Sequence, residues 1–358
     1  MPQVAITPQW TICADSGQRL SYRLLALLSD VQNHGSLSAA CKATGVSYRH
    51  AWSLVREGEA QLGQPLLLMA RGKGSALTPL ADKLVWAGHR IQARLSPMLE
   101  TLASELEAEL AKVMPTQQFA LRVHASHGFA IEQLIDRLVT QGMAIERKYV
   151  GSQESVKALH DGLCDLAGTH IPQGEFETQA LAHYQQWWDV QRTRVIHVAT
   201  RRQGLMVAKG NPLKIYSVAD LRRPELRFVN RQPSSGTRFL LECFLREAQV
   251  DPAQVNGYNH SEFTHAAVAA YVASGMADVG MGVETPSHRF GLDFVPLATE
   301  RYFLLCDQDQ LDAERLQGAL AVLRSAAFRA AVDALPGYVG TQCGQVQTLP
   351  EAFAQLRA

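Results

Sequence analysis

Residues 36–63 read SLSAACKATGVSYRHAWSLVREGEAQLG. Ser36 is placed to cap a short helix carrying Ala39, Ala40 and Ala43, Gly45 supplies backbone freedom for a tight turn, and Ser47 can cap a second helix. Two short helices with small residues where they cross, and an apolar Val46 after the turn, predict a helix-turn-helix. Ala51, Trp52, Leu54 and Val55 of the second helix are core candidates. Ser47, Tyr48, Arg49, His50 and Ser53 fall on its first turns, the part that enters the major groove when such a helix reads DNA.

The flanks extend this pattern. Upstream, RLSYRLLALLSDVQNHG spaces Leu20, Leu24, Leu27, Leu28 and Val31 as on one helix face and stops at Gly35. Downstream, PLLLMARGKGSALTP (65–79) reads as a β-hairpin wing with Arg71 and Lys73 at its tip. Arg49 suits a guanine edge, while Arg56, Arg71 and Lys73 suit phosphates. The whole chain has a formal net charge of zero, yet from Arg19 to Arg94 ten Lys/Arg face four Asp/Glu. A basic segment on a neutral remainder is the usual footprint of nucleic acid; a merely solvated basic face is the plainer reading. Double-stranded DNA is therefore the expected partner.

From Leu80 to Lys112 apolar residues recur at 80, 84, 91, 95, 98, 99, 102, 106 and 110, opposite Glu100, Glu105, Glu107 and Glu109. A long helix with so narrow a stripe predicts a two-stranded seam and a homodimer or higher homo-oligomer, matching a palindromic operator. A helix packed on its own chain is the alternative. Pro97 should bend this helix or split it after Arg94. The chain thus divides into a winged helix-turn-helix (1–79), a linker or dimerisation helix (80–118) and a remainder (119–358).

In the remainder, strands alternate with helices, which implies parallel sheets in an α/β fold with ligand groups on loops at the carboxyl ends of strands. Four such loops are rich in small polar residues: Ser126-His127-Gly128, Gly151-Ser152-Gln153-Glu154, Ser234 to Arg238, and Ser261 to His265. Each ends a strand and opens a helix, whose free N–H groups favour anions. Any single loop reads equally well as an ordinary N-cap. Together they predict an anion site using Ser126, His127, Ser152, His170, Ser235, Gly236, Thr237, Thr264 and His265, with Arg238 as its guanidinium. The histidines can equally satisfy core hydrogen bonds. No Gly-Lys-Ser/Thr follows the spacing of a phosphate-cradling P-loop.

The DNA-binding segment, through GVSYRHAW, the Gly-Lys-Gly wing and the LTP exit, resembles that of ModE-type molybdate-responsive regulators and more distantly LysR-type regulators, over about residues 19–90. NRQPSSGTRFLL, GLMVAKGNP and AVAAYVASGMADVGMGVET resemble the type II periplasmic-binding-protein fold, in its cytoplasmic version related to molybdate- and tungstate-binding proteins, over about 119–340. The resemblance implies two lobes, with the chain crossing between them near Ala199-Thr200 and again near Gly282–Glu284. It implies molybdate or tungstate as effector, with a small organic acid such as formate, or a molybdenum-cofactor-related metabolite, as the alternative.

Six scattered cysteines without a C-x-x-C pair argue against a metal site or a disulfide scaffold. With no signal-peptide pattern and no apolar run of spanning length, a cytoplasmic protein without membrane contact is expected. Catalysis is the different-class alternative. Ser126-His127 lacks an acid partner, and Cys243 falls inside a helix, so no catalytic residue and no cofactor are expected.

Overall fold

The computed structural model of the chain describes residues 4–13, 17, 19–70, 74–113 and 120–356. They form two compact units, Thr7–Leu95 and a second comprising Met1–Ile6 with Ser96–Ala358. No helix among the described residues is long and apolar enough to cross a membrane.

In the first unit, α1 (Tyr22–His34), α2 (Leu37–Thr44) and α3 (Tyr48–Leu62) precede a hairpin of β1 (Leu67–Ala70) and β2 (Gly74–Leu77). The caps are those expected. The Ser36 and Ser47 side chains accept the Ala39 and His50 N–H groups, and Gly45 ends α2 at φ 72°. Leu24, Leu28, Leu37, Ala40, Ala51 and Val55 are buried together, with Trp52 half-buried against them. A Cβ on Gly58 would stand 2.2 Å from Leu24 Cδ2, so a larger residue there has to displace that buried side chain. The hairpin is tied to the helices where Ser75 Oγ accepts the Leu37 N–H at 2.8 Å.

Helix α4 (Pro79–Val113) begins in the first unit and ends in the second. Pro97 lies inside it, so the expected split after Arg94 does not occur. A proline removes one intrahelical donor, and packing of the following turns holds the rest of the helix in place. Thr101 Oγ1 donates to the Pro97 carbonyl at 2.8 Å and itself accepts the Tyr149 N–H at 3.1 Å.

The second unit contains β3 (Leu121–Ala125), α5 (Phe129–Thr140), β4 (Ile145–Tyr149), α6 (Ser152–His160), β5 (Leu166–Pro172) and α7 (Glu177–Tyr184). Next come β6 (Thr193–Val207), β7 (Phe228–Arg231), α8 (Gly236–Glu247), β8 (Ser261–Glu262), α9 (His265–Ala273), β9 (Val279–Val283) and α10 (Thr285–Arg289). Then follow β10 (Asp293–Asp307), α11 (Glu314–Arg324) and α12 (Ala326–Asp333). The sheet order is β4-β3-β5-β10-β6-β9-β7-β8.

This sheet is mixed rather than parallel. The pairs β3/β4, β3/β5, β7/β9 and β7/β8 are parallel, but β6 and β10 are antiparallel to each other and to β5 and β9. Both β6 and β10 have 15 residues and serve both lobes. Period-two burial gives each lobe two apolar faces. In one lobe Ile196, Val198, Leu304 and Cys306 pack with α5, α11 and α12, while Val195, Phe303 and Leu305 pack with α6 and α7. In the other, Leu205 and Val207 meet α8, and Met206 meets α9. The first crossing is in β6 near Ala199-Thr200, as expected. The second is in β10 near Ala298–Arg301, because Gly282–Glu284 only closes β9 before α10 turns the chain back.

Candidate functional site

Where β5, β10 and β6 meet between the lobes, the strand register brings polar side chains onto one face. His170 lies opposite Tyr302, Tyr302 opposite Ala199, and Glu300 opposite Arg201, with Gln203 one pleat further along β6. All are buried; Arg201 and Arg231 are each 2% exposed and Glu300 is fully enclosed. Arg201 Nε donates to Glu300 Oε1 at 2.5 Å, and Gln203 Nε2 donates to the same oxygen and to Thr237 Oγ1 at 3.0 Å each. Arg231, at the end of β7, donates to Gln232 Oε1 and to the Phe263 carbonyl, both neutral.

The charges follow from these partners. Burial opposes ionisation of Arg201, but the adjacent Glu300 outweighs it and raises the guanidinium pKa. Arg231 has no carboxylate at bonding distance among the described residues. Burial, then the Arg201 charge, push it down to about 9. Burial lowers His170 to about 4, so it is neutral at pH 7, with Nδ1 3.4 Å from Ser152 Oγ and Nε2 3.8 Å from Glu300 Oε2.

Among the described residues, no hydrogen bond reaches Arg201 Nη2, Arg231 Nη1, His170 Nε2, Gln203 Oε1, Glu300 Oε2 or the Tyr302 hydroxyl. Buried polar atoms are normally paired, so six orphans in one place make this cluster the candidate site.

Helix N-termini surround this cluster. A Cβ at Gly128, which caps α5, would be 3.4 Å from Arg201 Nη1. Gly151 caps α6 and lies against Ser234 of the other lobe. Gly236 opens α8 directly against His170; a Cβ there would stand 2.3 Å from Nε2. Its lack of a side chain is what lets the lobes meet. His265 opens α9, fully buried, with its pKa held well below 6.5 by burial and by Arg231 and Arg201. Its Nδ1 accepts the Val283 N–H, leaving the ring proton on Nε2.

The expected residues sort accordingly. Ser152, His170, Gly236, Thr237 and His265 lie at or beside the cluster. Ser235 and Thr264 are buried caps whose oxygens accept the Arg238 and Ala267 N–H groups, and Ser126 is buried just after β3 beside Tyr302 of the cluster. His127 turns to Glu132, Nε2 to Oε1 at 2.6 Å, and packs edge-on to Tyr149. Arg238 is not the site's guanidinium: it donates to Glu242 and the Tyr258 carbonyl and stacks on the Tyr258 ring at 3.8 Å. Cys243 is buried and bonds Gln179. Arg201, Gln203, Glu300 and Tyr302 went unnoticed in the sequence, and Arg231 lay within NRQPSSGTRFLL without being read as a ligand group. Arg201 and Gln203 stand two apart in β6 with Glu300 opposite Arg201 in β10, but Thr193, Arg194, His197, Thr200 and Arg202 share β6, so nothing local singled them out.

In the first unit, Ser47, Tyr48, Arg49, His50, Ser53 and Arg56 are exposed on α3. Tyr48 stacks parallel to Trp52, and Arg56 lies over Trp52 while bridging to Glu59 at 3.3 Å. Arg71 and Lys73 lie outside the described residues.

Residues 135–324, more than half of the chain, match the model of the PBP superfamily domain, and residues 22–82 match that of the bacterial regulatory helix-turn-helix protein, lysR family. The chain is 34% identical over 202 residues to the uncharacterized protein YvgK of Bacillus subtilis (strain 168), covering 56% of this chain and 64% of that relative. It thus spans just under two thirds of that relative's length. It is 25% identical over 182 residues to the molybdenum-pterin-binding protein MopB of Rhodobacter capsulatus, covering 44% and 67% respectively. Among solved structures, CbnR, a LysR family transcriptional regulator, is similar at 15% identity and a TM-score of 0.38, over 84% of this chain and 99% of that one. A score that low carries no argument.

Proposed function

The chain belongs to the PBP superfamily and carries, ahead of that domain, a bacterial regulatory helix-turn-helix of the lysR family; from this premise we propose a one-component transcriptional regulator that binds a small anion between its lobes. The observation that carries the anion is Arg231: a buried guanidinium with only neutral partners, beside Arg201, where Glu300 neutralises one of the two charges. An anion reaching Arg231 Nη1 and Arg201 Nη2 would complete the charge balance. The helix N-termini around it add N–H donors and no opposing charge.

Molybdate or tungstate is the first candidate, on the likeness to MopB. A small organic acid such as formate, or a molybdenum-cofactor-related metabolite, is the second. Closure of the lobes on either would reposition α4 and with it the paired recognition helices of a cytoplasmic homodimer, altering affinity for a palindromic operator. Ser47, Tyr48, Arg49, His50 and Ser53 are the proposed base-facing residues, with Arg56, Arg71 and Lys73 on phosphates.

The test is thermal unfolding of the full chain with molybdate, tungstate, sulfate, phosphate and formate. A ligand of the folded state at a hundred times its Kd stabilises by about 2.7 kcal/mol. A shift with molybdate or tungstate but not sulfate supports an oxometalate sensor, and a shift with formate alone supports the second reading. No shift with any of the five overturns the simple oxyanion and formate readings and moves the search to larger anionic metabolites.

A further inference from the structure

We infer that the effector, besides being an anion, carries its own O–H or N–H donor, which places it among hydroxy or amino acids and singly protonated oxyanions rather than fully ionised oxometalates. This rests on the anion reading above and, within it, ranks the oxometalates and formate behind donor-bearing anions.

Two of the orphaned atoms can only accept. Glu300 Oε2 belongs to a carboxylate whose other oxygen is occupied by Arg201 and Gln203. The Gln203 amide is oriented by that same carboxylate: only its NH₂ can face Glu300 Oε1, so the atom left over is the carbonyl oxygen. Both residues are fully buried. Opposite them are two orphaned atoms that can only donate, Arg201 Nη2 and Arg231 Nη1. His170 Nε2 and the Tyr302 hydroxyl can do either.

A bare tetrahedral dianion satisfies the arginines but brings no donor to the two buried acceptors, one of them charged. A buried acceptor left unpaired discriminates strongly between otherwise similar ligands. A ligand with an anionic end for the arginines and a donor for Glu300 and Gln203 satisfies both halves. It must also be small, because Gly236 backs onto His170 with no room for a Cβ.

Matched probes test this on the unmodified full chain by calorimetric titration: hydrogen phosphate against sulfate, and glycolate against acetate, with molybdate and tungstate alongside. The donor-bearing member of at least one pair should bind at least tenfold more tightly than its partner and than either oxometalate. Equal or tighter binding by sulfate, acetate, molybdate or tungstate overturns the inference and leaves the anion site standing. Binding by none of the probes removes the anion site and the inference with it. Glu300→Gln replaces the acceptor with an amide that can donate, so in a folded variant the preference within the pair should shrink at least tenfold. An unchanged preference also overturns it.

Discussion

Arg231 and Arg238 flank one loop and have different surroundings. Arg238 is bound by Glu242 and Tyr258 and acts as a brace on α8, whereas Arg231 is buried with its charge unneutralised. Arg231→Gln should abolish stabilisation by any anion while leaving the unliganded protein as stable or more so, since it removes a poorly compensated buried charge. Arg238→Ala should lower unfolding stability by about 1–2 kcal/mol, through lost packing and hydrogen bonds, yet keep the anion response. Denaturant unfolding with and without anion checks both; loss of the response in Arg238→Ala alone contradicts the assignment. At Gly236, alanine drives a Cβ into His170, so Gly236→Ala should weaken anion binding at least tenfold by holding the lobes apart.

At the scale of elements, α4 has two distinct faces. One is fastened to the edge strand β4: Ser104 Oγ accepts the Arg147 N–H at 2.8 Å and Thr101 Oγ1 accepts the Tyr149 N–H. Two hydroxyls three apart on a helix thus satisfy two alternate N–H groups of a strand that would otherwise be an open edge. Ser104 is 2% exposed, so Ser104→Ala should cost about 1–3 kcal/mol in denaturant unfolding; a loss under 0.5 kcal/mol would mean that water replaces the hydroxyl. The opposite face shows Met98, Leu102, Leu106 and Leu110 exposed at four-residue spacing. We propose it as the seam with a second copy. Leu106→Glu should shift sedimentation toward monomer, and an unchanged oligomer would place the interface elsewhere.

For the whole molecule, four buried histidines set the acid limit. Burial lowers His124 and His170 from 6.5 to about 4, and lowers His197 and His265 as well. Their folded pKa values lie below the unfolded one, so the unfolded chain binds more protons as pH falls. Stability is intact above about pH 6.5 and declines toward pH 4, by up to about 1.4 kcal/mol per pH unit for each histidine. Denaturant midpoints between pH 7 and 4.5 should fall accordingly; a flat profile would mean that these rings are protonated in the folded state.

What the amino-acid order determined is local. Ser36, Gly45 and Ser47 dictate the helix-turn-helix through caps and a left-handed turn, and strand-helix alternation dictates the α/β class, because both act within a few residues. The same locality misled at Arg238, which looked like part of the Ser-Gly-Thr cradle only because it is adjacent in sequence. Only the tertiary structure decided which groups converge. Arg201 meets Glu300 across 99 residues and Gln203 meets Thr237 across 34, through strand registers that no local pattern specifies. Burial then gave those side chains their charge states, since removal from water is a property of the assembled lobes rather than of any segment.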